Sequence, residues 1–132
     1  MSVRSDVNEV RIVEKMRTFL PGLRLIWRYT LSPVDAYSIT DMVVVEIKVR
    51  NKHYNDLVLE ETKLKSMQEI AHTYGMRALY VCETPLGMWY WDITNLSPEW
   101  TYRKLPYSTD DGRAPAEKKI TYVSIDTATK IV

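Results

Sequence analysis

The stretch Met42-Val43-Val44-Val45-Glu46-Ile47-Lys48-Val49-Arg50 decides the fold of this chain and points to its functional site. Its β-branched and apolar residues predict a central β-strand. Glu46 and Lys48 stand two residues apart, and a strand places such a pair on the same face. Because burying a charged side chain costs several kcal/mol unless it is paired or used, we expect this face to open onto a site. The alternative is an ion pair on a solvated sheet face.

The segments around this strand predict an α/β fold. An amphipathic helix is expected from Asp6 to about Leu20, ended by Pro21-Gly22. A second helix is expected at 61–74, closed by Gly75, and further strands are expected at 23–30, 36–39, 78–83 and 88–93. This order, α-β-β-β-α-β-β, contains a strand-helix-strand crossover and therefore predicts a central mixed sheet flanked by helices.

The character of the sequence changes after Asn95. Three prolines and a polar loop at about 107–117 describe an irregular C-terminal arm, which returns as a strand at 119–125. At 132 residues with 45% hydrophobic side chains, the chain is long enough for one well-packed core. We expect a single domain over residues 1–132, with a core at about 5–93 and the arm at about 94–132.

An aspartate, Asp35, lies a hairpin's length before Glu46. Together, Pro33-Val34-Asp35 and Val45-Glu46-Ile47-Lys48 resemble the PD-(D/E)XK nuclease superfamily of restriction-endonuclease-like fold, and within it the small phage-type or mobile-element nucleases. Here one residue separates the aspartate from the proline, whereas the family's motif places them side by side. The chain contains two other Glu-x-Lys triplets, at 61–63 and 117–119, but neither is on an apolar strand.

This resemblance implies a divalent-metal-dependent DNA endonuclease. Its catalytic residues would be Asp35, Glu46, Lys48 and Lys63. The cofactor would be Mg²⁺ or Mn²⁺, held by Asp35, Glu46, the backbone carbonyl of Ile47, and Glu9 from the first helix. Glu9 heads the apolar stripe of that helix, and the alternative is that it only caps the helix N-terminus.

The second helix offers three polar candidates for the further catalytic position. We favour Lys63 over Lys65 and Gln68, because it lies in the first turn, next to the loop that leaves the Glu46 strand. A cation in the first turn also opposes the helix dipole, which suggests a use outside the helix. For DNA binding, the basic residues around the site are Arg50, Lys52 and Lys65.

Composition limits the remaining choices. The net charge of +1 excludes a protein that binds nucleic acid through bulk charge alone. No apolar run approaches the length of a membrane span, and no signal-peptide pattern precedes the first helix, so no membrane partner is expected. One cysteine, Cys82, excludes an internal disulfide and suits the cytoplasm, which would be the host's for a viral protein.

The expected partner is DNA. No dedicated sequence-reading element is visible, so we expect recognition of shape, such as branches or junctions. Symmetrical cutting by a one-site domain requires a homodimer. The alternative is a catalytically inactive nuclease-like module that binds DNA or a protein.

Overall fold

The computed structural model describes residues 3–26, 32–105 and 116–131. The helices and strands are α1 Val3–Met16, β1 Arg24–Leu25, β2 Ala36–Ser38, β3 Val43–Val49, β4 Asp56–Glu60, α2 Glu61–Tyr74, β5 Arg77–Thr84, β6 Gly87–Asp92, β7 Thr101–Leu105, β8 Ala116–Ser124 and β9 Thr129–Lys130.

The main sheet has six strands in the order β1-β2-β3-β5-β6-β9. β3 and β5 are parallel, and every other neighbouring pair is antiparallel. α2 makes the crossover between the two parallel strands, as the sequence predicts. The predicted α/β architecture with a central mixed sheet is therefore confirmed.

An apolar core lies on each face of the main sheet. On one face, Ile12, Val13 and Met16 of α1 pack against alternate residues of β3. On the other, α2 packs against Val44 and the central residues of β5 and β6. The strand alternation thus divides β3 between the two cores, and Glu46 and Lys48 belong to the face that carries α2.

A second sheet was not predicted as such. It has three antiparallel strands in the order β4-β8-β7. β4 was not among the predicted strands, and its Leu57 and Leu59 pair with Val123 and Thr121 of β8. These two leucines and Val123 are buried in the core beside α2. Residues of the predicted arm therefore contribute to the hydrophobic core.

Several predicted boundaries differ from the structure. α1 ends at Met16, four residues before Leu20, and the chain continues in tight turns in which the Leu20 N–H donates to the Met16 carbonyl at 2.8 Å. The predicted strand at 23–30 is described only at Arg24–Leu25, because residues 27–31 lie outside the described ranges. Most of the predicted loop at 107–117 also lies outside them.

The second helix matches its prediction. α2 runs from Glu61 to Tyr74, and Gly75 follows with a φ of 67°, the left-handed conformation in which glycine has no Cβ to clash. Neither helix in the described ranges is long and apolar enough to cross a membrane.

Candidate active site

Glu46 occupies the centre of the candidate site. Glu46 is only 3% exposed. Lys48, the next residue of β3 on the same sheet face, remains partly open to solvent. The Lys48 ammonium is 3.2 Å from Glu46 Oε2. This contact compensates the negative charge of the buried carboxylate and leaves the ammonium accessible to another group.

Asp35 reaches the same place from the start of β2. Its backbone N–H donates to the Val45 carbonyl at 2.9 Å, and its carboxylate accepts a hydrogen bond from the Ile47 N–H at 2.7 Å. The side chain thus takes the position of a ladder partner just before the first residue of β2. Because a strand residue directs its N–H and C=O to the same side, the Ile47 carbonyl faces this edge as well.

Burial and the neighbouring Glu46 carboxylate alter the titration of Asp35. Burial is the largest cause that raises the pKa of Asp35 to about 7, and the neighbouring Glu46 charge is the next. The hydrogen bond from the Ile47 N–H lowers the pKa, while the Glu9 charge and a hydrogen bond with Glu46 raise it further. Two buried acids that repel each other favour binding either a proton or a cation between them.

Lys63 is the one predicted α2 residue that reaches Glu46. Its ammonium lies 3.3 Å from Glu46 Oε1 and donates a 2.7 Å hydrogen bond to the Pro33 carbonyl. Lys65 instead pairs with Glu61 at 3.4 Å, and its side chain is 68% exposed. Glu46 is therefore held between two ammonium groups, one from its own strand and one from the first turn of α2.

Gln68, the other candidate on this helix, has a structural role. Its amide donates hydrogen bonds to the carbonyls of Ile93 and Leu96, at 3.0 and 2.7 Å. The amide therefore fixes the segment that follows β6.

Glu9 is buried on α1, at 7% exposure, and lies near enough to Asp35 for its charge to act there. α1 itself is fastened by Arg11, whose guanidinium makes a bidentate contact with Glu83 at the end of β5. Among the residues that the structure describes, no three His, Cys, Asp or Glu side chains lie close enough together to hold a metal ion, so Glu9 does not form such a group with Asp35 and Glu46.

The residues at the site nevertheless fit a hard divalent cation. Two adjacent carboxylates, one of them with a raised pKa, and a nearby backbone carbonyl are oxygen donors of the kind that Mg²⁺ and Mn²⁺ prefer. Mg²⁺ is commonly bound by one or two carboxylates, with water and substrate oxygens completing its shell. A pair of acids is thus sufficient for this class of ion.

The predicted DNA-binding residues separate into two places. Arg50 and Lys52 are exposed in the segment that follows β3, and Arg50 lies close enough to the buried Tyr80 for its charge to act there. Lys65 lies on another face of α2 and is turned toward Glu61. The structure therefore places Arg50 next to the site and leaves Lys65 apart from it.

The sequence analysis did not predict one contact of the candidate site. The Pro33 carbonyl receives the Lys63 ammonium and so positions it against Glu46. The proline of the motif was the available signal, because a fixed turn before Asp35 directs a backbone carbonyl toward the helix that follows the strand.

Comparison with known proteins supports the fold. No protein-family model matches the sequence, and no curated protein matches it. Among solved structures, the chain is similar to Hjc of Archaeoglobus fulgidus, a Holliday junction resolvase from an archaeal hyperthermophile. The TM-score is 0.58, the sequence identity is 14%, and 93% of each chain is covered. This likeness confirms the predicted restriction-endonuclease-like fold.

The raised pKa of Asp35 leads to a first prediction, for metal binding. A cation must displace the proton that Asp35 holds below about pH 7. We therefore expect the affinity for Mn²⁺, measured by calorimetry, to increase between pH 6 and pH 8, and Asp35→Asn to remove most of the binding. An affinity that does not change with pH in the wild-type protein would contradict a site built on this carboxylate.

The same pKa predicts the stability of the metal-free protein. A carboxyl pKa that is higher in the folded state than the ordinary unfolded value means that folding takes up a proton between roughly pH 4 and pH 7. The Asp35 contribution to stability therefore declines as the pH rises through this window. Thermal unfolding should show Asp35→Asn gaining stability relative to wild type from pH 5 to pH 8.

Proposed function

We propose that this chain is a divalent-metal-dependent DNA endonuclease that cleaves branched DNA, such as four-way junctions, by shape rather than by sequence. The observation that carries the proposal is the meeting of Asp35, Glu46 and the Ile47 backbone with two lysine ammonium groups. Its support is the fold, which the chain shares over 93% of its length with a Holliday junction resolvase.

Asp35, Glu46 and the Ile47 carbonyl would hold Mg²⁺ or Mn²⁺, and Glu9 would add negative charge to the shell. When bound, the ion lowers the pKa of water and stabilises negative charge on the phosphate. The carboxylates must be fully ionised for this, and the Ile47 N–H helps because its hydrogen bond favours the charged form of Asp35.

The two lysines would act on opposite sides of Glu46. Lys48 has a side chain that is 40% exposed, and its ammonium can orient the attacking water by a hydrogen bond while remaining paired with Glu46. Lys63 is held by the Pro33 carbonyl and would place its charge against the phosphate oxygens. Such preorganised charge stabilises the transition state more than the ground state.

Substrate recognition would rest on backbone contacts. Arg50 and Lys52 would bind phosphates beside the cleaved bond, and Lys65 would bind more distant ones. Two symmetrical cuts across a junction need two such sites, so the active form would be a homodimer of single-domain chains. The buried thiol of Cys82 suits the reducing cytoplasm as its location.

The third prediction tests this function directly. Incubated with Mg²⁺ or Mn²⁺, the protein should cut a four-way junction at paired positions faster than linear, nicked or single-stranded DNA of the same sequence. As a control, a chelator added to the same mixture should stop cleavage, and excess Mn²⁺ added afterwards should restore it. Tight junction binding without any cleavage at either metal would favour an inactive DNA-binding module instead.

A further inference from the structure

A row of four residues crosses the main sheet from the candidate active site to its far edge. The strand register pairs Lys48 with Cys82, Cys82 with Trp89, and Trp89 with Lys130. Residues in register on neighbouring strands share one face, which here is the face of Glu46. Three strand spacings separate the two lysines, so their backbones are roughly 14 Å apart.

The indole of Trp89 supports two polar groups at the far end of this row. The residue is only 7% exposed, because the His53 ring packs on it at 5.3 Å and the Lys130 ammonium lies 5.6 Å from its ring centroid. A cation over an indole face is attracted by the ring's quadrupole. Trp89 is thus too covered to stack on a base, and it fixes the groups above it.

The orientation of His53 follows from its partner. Its Nδ1 lies 2.8 Å from the Thr84 hydroxyl, whose oxygen already accepts a hydrogen bond from the Leu86 N–H. In the tautomer that carries its proton on Nε2, the ring accepts the Thr84 hydroxyl proton at Nδ1 and can donate its Nε2–H to an anion in front of the row.

Arg50 extends the row beside Lys48. Its backbone N–H donates to the Glu83 carbonyl at 2.9 Å, which continues the pairing with β5 one residue beyond β3. The Tyr80 hydroxyl donates to the Val58 carbonyl at 3.1 Å, and the Arg50 charge lies near enough to act on this hydroxyl. Arg50 stands two residues after Lys48 and so belongs to the same sheet face.

Two cations of this region, Arg50 and Lys130, lack a carboxylate partner in the described part of the chain. Across residues 3–26, 32–105 and 116–131, no carboxylate forms an ion pair with Arg50 or Lys130. By contrast, Lys118 on the second sheet pairs with Glu60 at 2.9 Å, and Lys119 with Glu61 at 3.9 Å. Arg50 and Lys130 are therefore available to an external anion.

We propose that Lys48, Arg50, His53 and Lys130 form a phosphate-binding track for the DNA strand that leaves the cleavage site. The proposal rests on the proposed function and assigns Lys130, in β9, to substrate binding. A separation of roughly 14 Å spans about two phosphate steps of one strand, because neighbouring phosphates wind around the duplex axis and lie further apart than the axial rise alone. Lys130 therefore contacts a phosphate about two positions from the cleaved bond.

The test is metal-free binding of a fluorescent four-way junction over a series of salt concentrations. Lys130→Ala is expected to weaken binding by about three- to tenfold and to lower the salt slope by about one, the value for one lost phosphate contact. Lys130→Arg should restore both. The matched control is Lys104→Ala, an exposed lysine of β7 on the other sheet, which should change neither.

Neutral phosphates locate the contact. We would prepare a set of junctions, each with a single methylphosphonate at a different position. Lys130→Ala should weaken the binding of every junction except the one in which the phosphate that Lys130 contacts is already neutral. Equal binding by wild type and Lys130→Ala, or a penalty that persists at every position, would overturn the track.

The outcome for the track is separate from the outcome for catalysis. Junction cleavage by a wild-type protein whose Lys130→Ala variant binds normally overturns only the track. Binding that depends on Lys130 in a protein that never cleaves DNA supports the track and overturns the nuclease. A wild-type protein that does not bind DNA overturns both.

Discussion

Glu46→Gln is expected to reduce DNA cleavage by at least about a thousandfold, as the loss of a central catalytic group typically does. The substitution removes one of the two charged oxygen donors of the proposed metal site. It also removes the negative partner of both ammonium groups, at 3.2 and 3.3 Å. Single-turnover cleavage of a four-way junction in Mg²⁺ measures the effect.

The same substitution should leave the fold and DNA binding nearly intact. Lys48 and Lys63 have side chains that are 40% and 32% exposed, so water can replace the lost carboxylate. Without the Glu46 charge, the pKa of Asp35 falls, and its carboxylate supplies a new negative partner. We expect a loss of stability of about 1–2 kcal/mol, measured by chemical unfolding.

The matched control is Glu60→Gln, which removes another strand glutamate from an ion pair, here with Lys118 at 2.9 Å on the second sheet. It should cleave DNA like wild type. If Glu46→Gln unfolded the protein and Glu60→Gln impaired cleavage to the same degree, Glu46 would be a structural ion-pair residue and not part of an active site.

Lys63→Ala is expected to slow cleavage by about a hundredfold or more, the usual cost of removing a charge-stabilising group. Its ammonium is preorganised between Glu46 and the Pro33 carbonyl, at 3.3 and 2.7 Å, so the variant loses a fixed charge at the reacting phosphate. Lys63→Met, which keeps the chain length, should behave in the same way. Both are compared with wild type by single-turnover rates at saturating protein.

Lys65→Ala is the matched control on the same helix. Its side chain points away and pairs with Glu61 at 3.4 Å, so its removal should weaken binding slightly and leave the cleavage rate unchanged. Equal and modest effects of Lys63→Ala and Lys65→Ala would show that the first turn of α2 is scaffold only.

Much of the main sheet follows from local patterns in the sequence. The apolar run of β3 and the left-handed Gly75 after α2 are decided by neighbouring residues, and both agree with prediction. The helical geometry that separates Lys63 from Lys65 is equally local. These features need no knowledge of distant contacts, which explains why one sequence was sufficient for them.

The second sheet and the cross-sheet row depend on distant pairing instead. β4 is only five residues long, and its partner β8 lies far along the chain. Nothing near Leu57 or Leu59 specifies that partner. Likewise, Lys130 meets Trp89 through the register of β9, which a two-residue strand cannot reveal by periodicity. The sequence alone therefore gave no indication that Lys130 lies on the same sheet face as the candidate site.

The second sheet also sets the order in which the site can form during synthesis. Lys63 follows β4 directly, and Glu60 and Glu61 at this junction are tied to Lys118 and Lys119 of β8. Pairing across so many intervening residues has a high loop-closure entropy and forms late. A growing chain therefore carries the carboxylates first, and α2 gains its full anchorage only when residues 116–124 have been made. We therefore expect the candidate site to be complete only at the end of folding, when the lysine and the acids are held together.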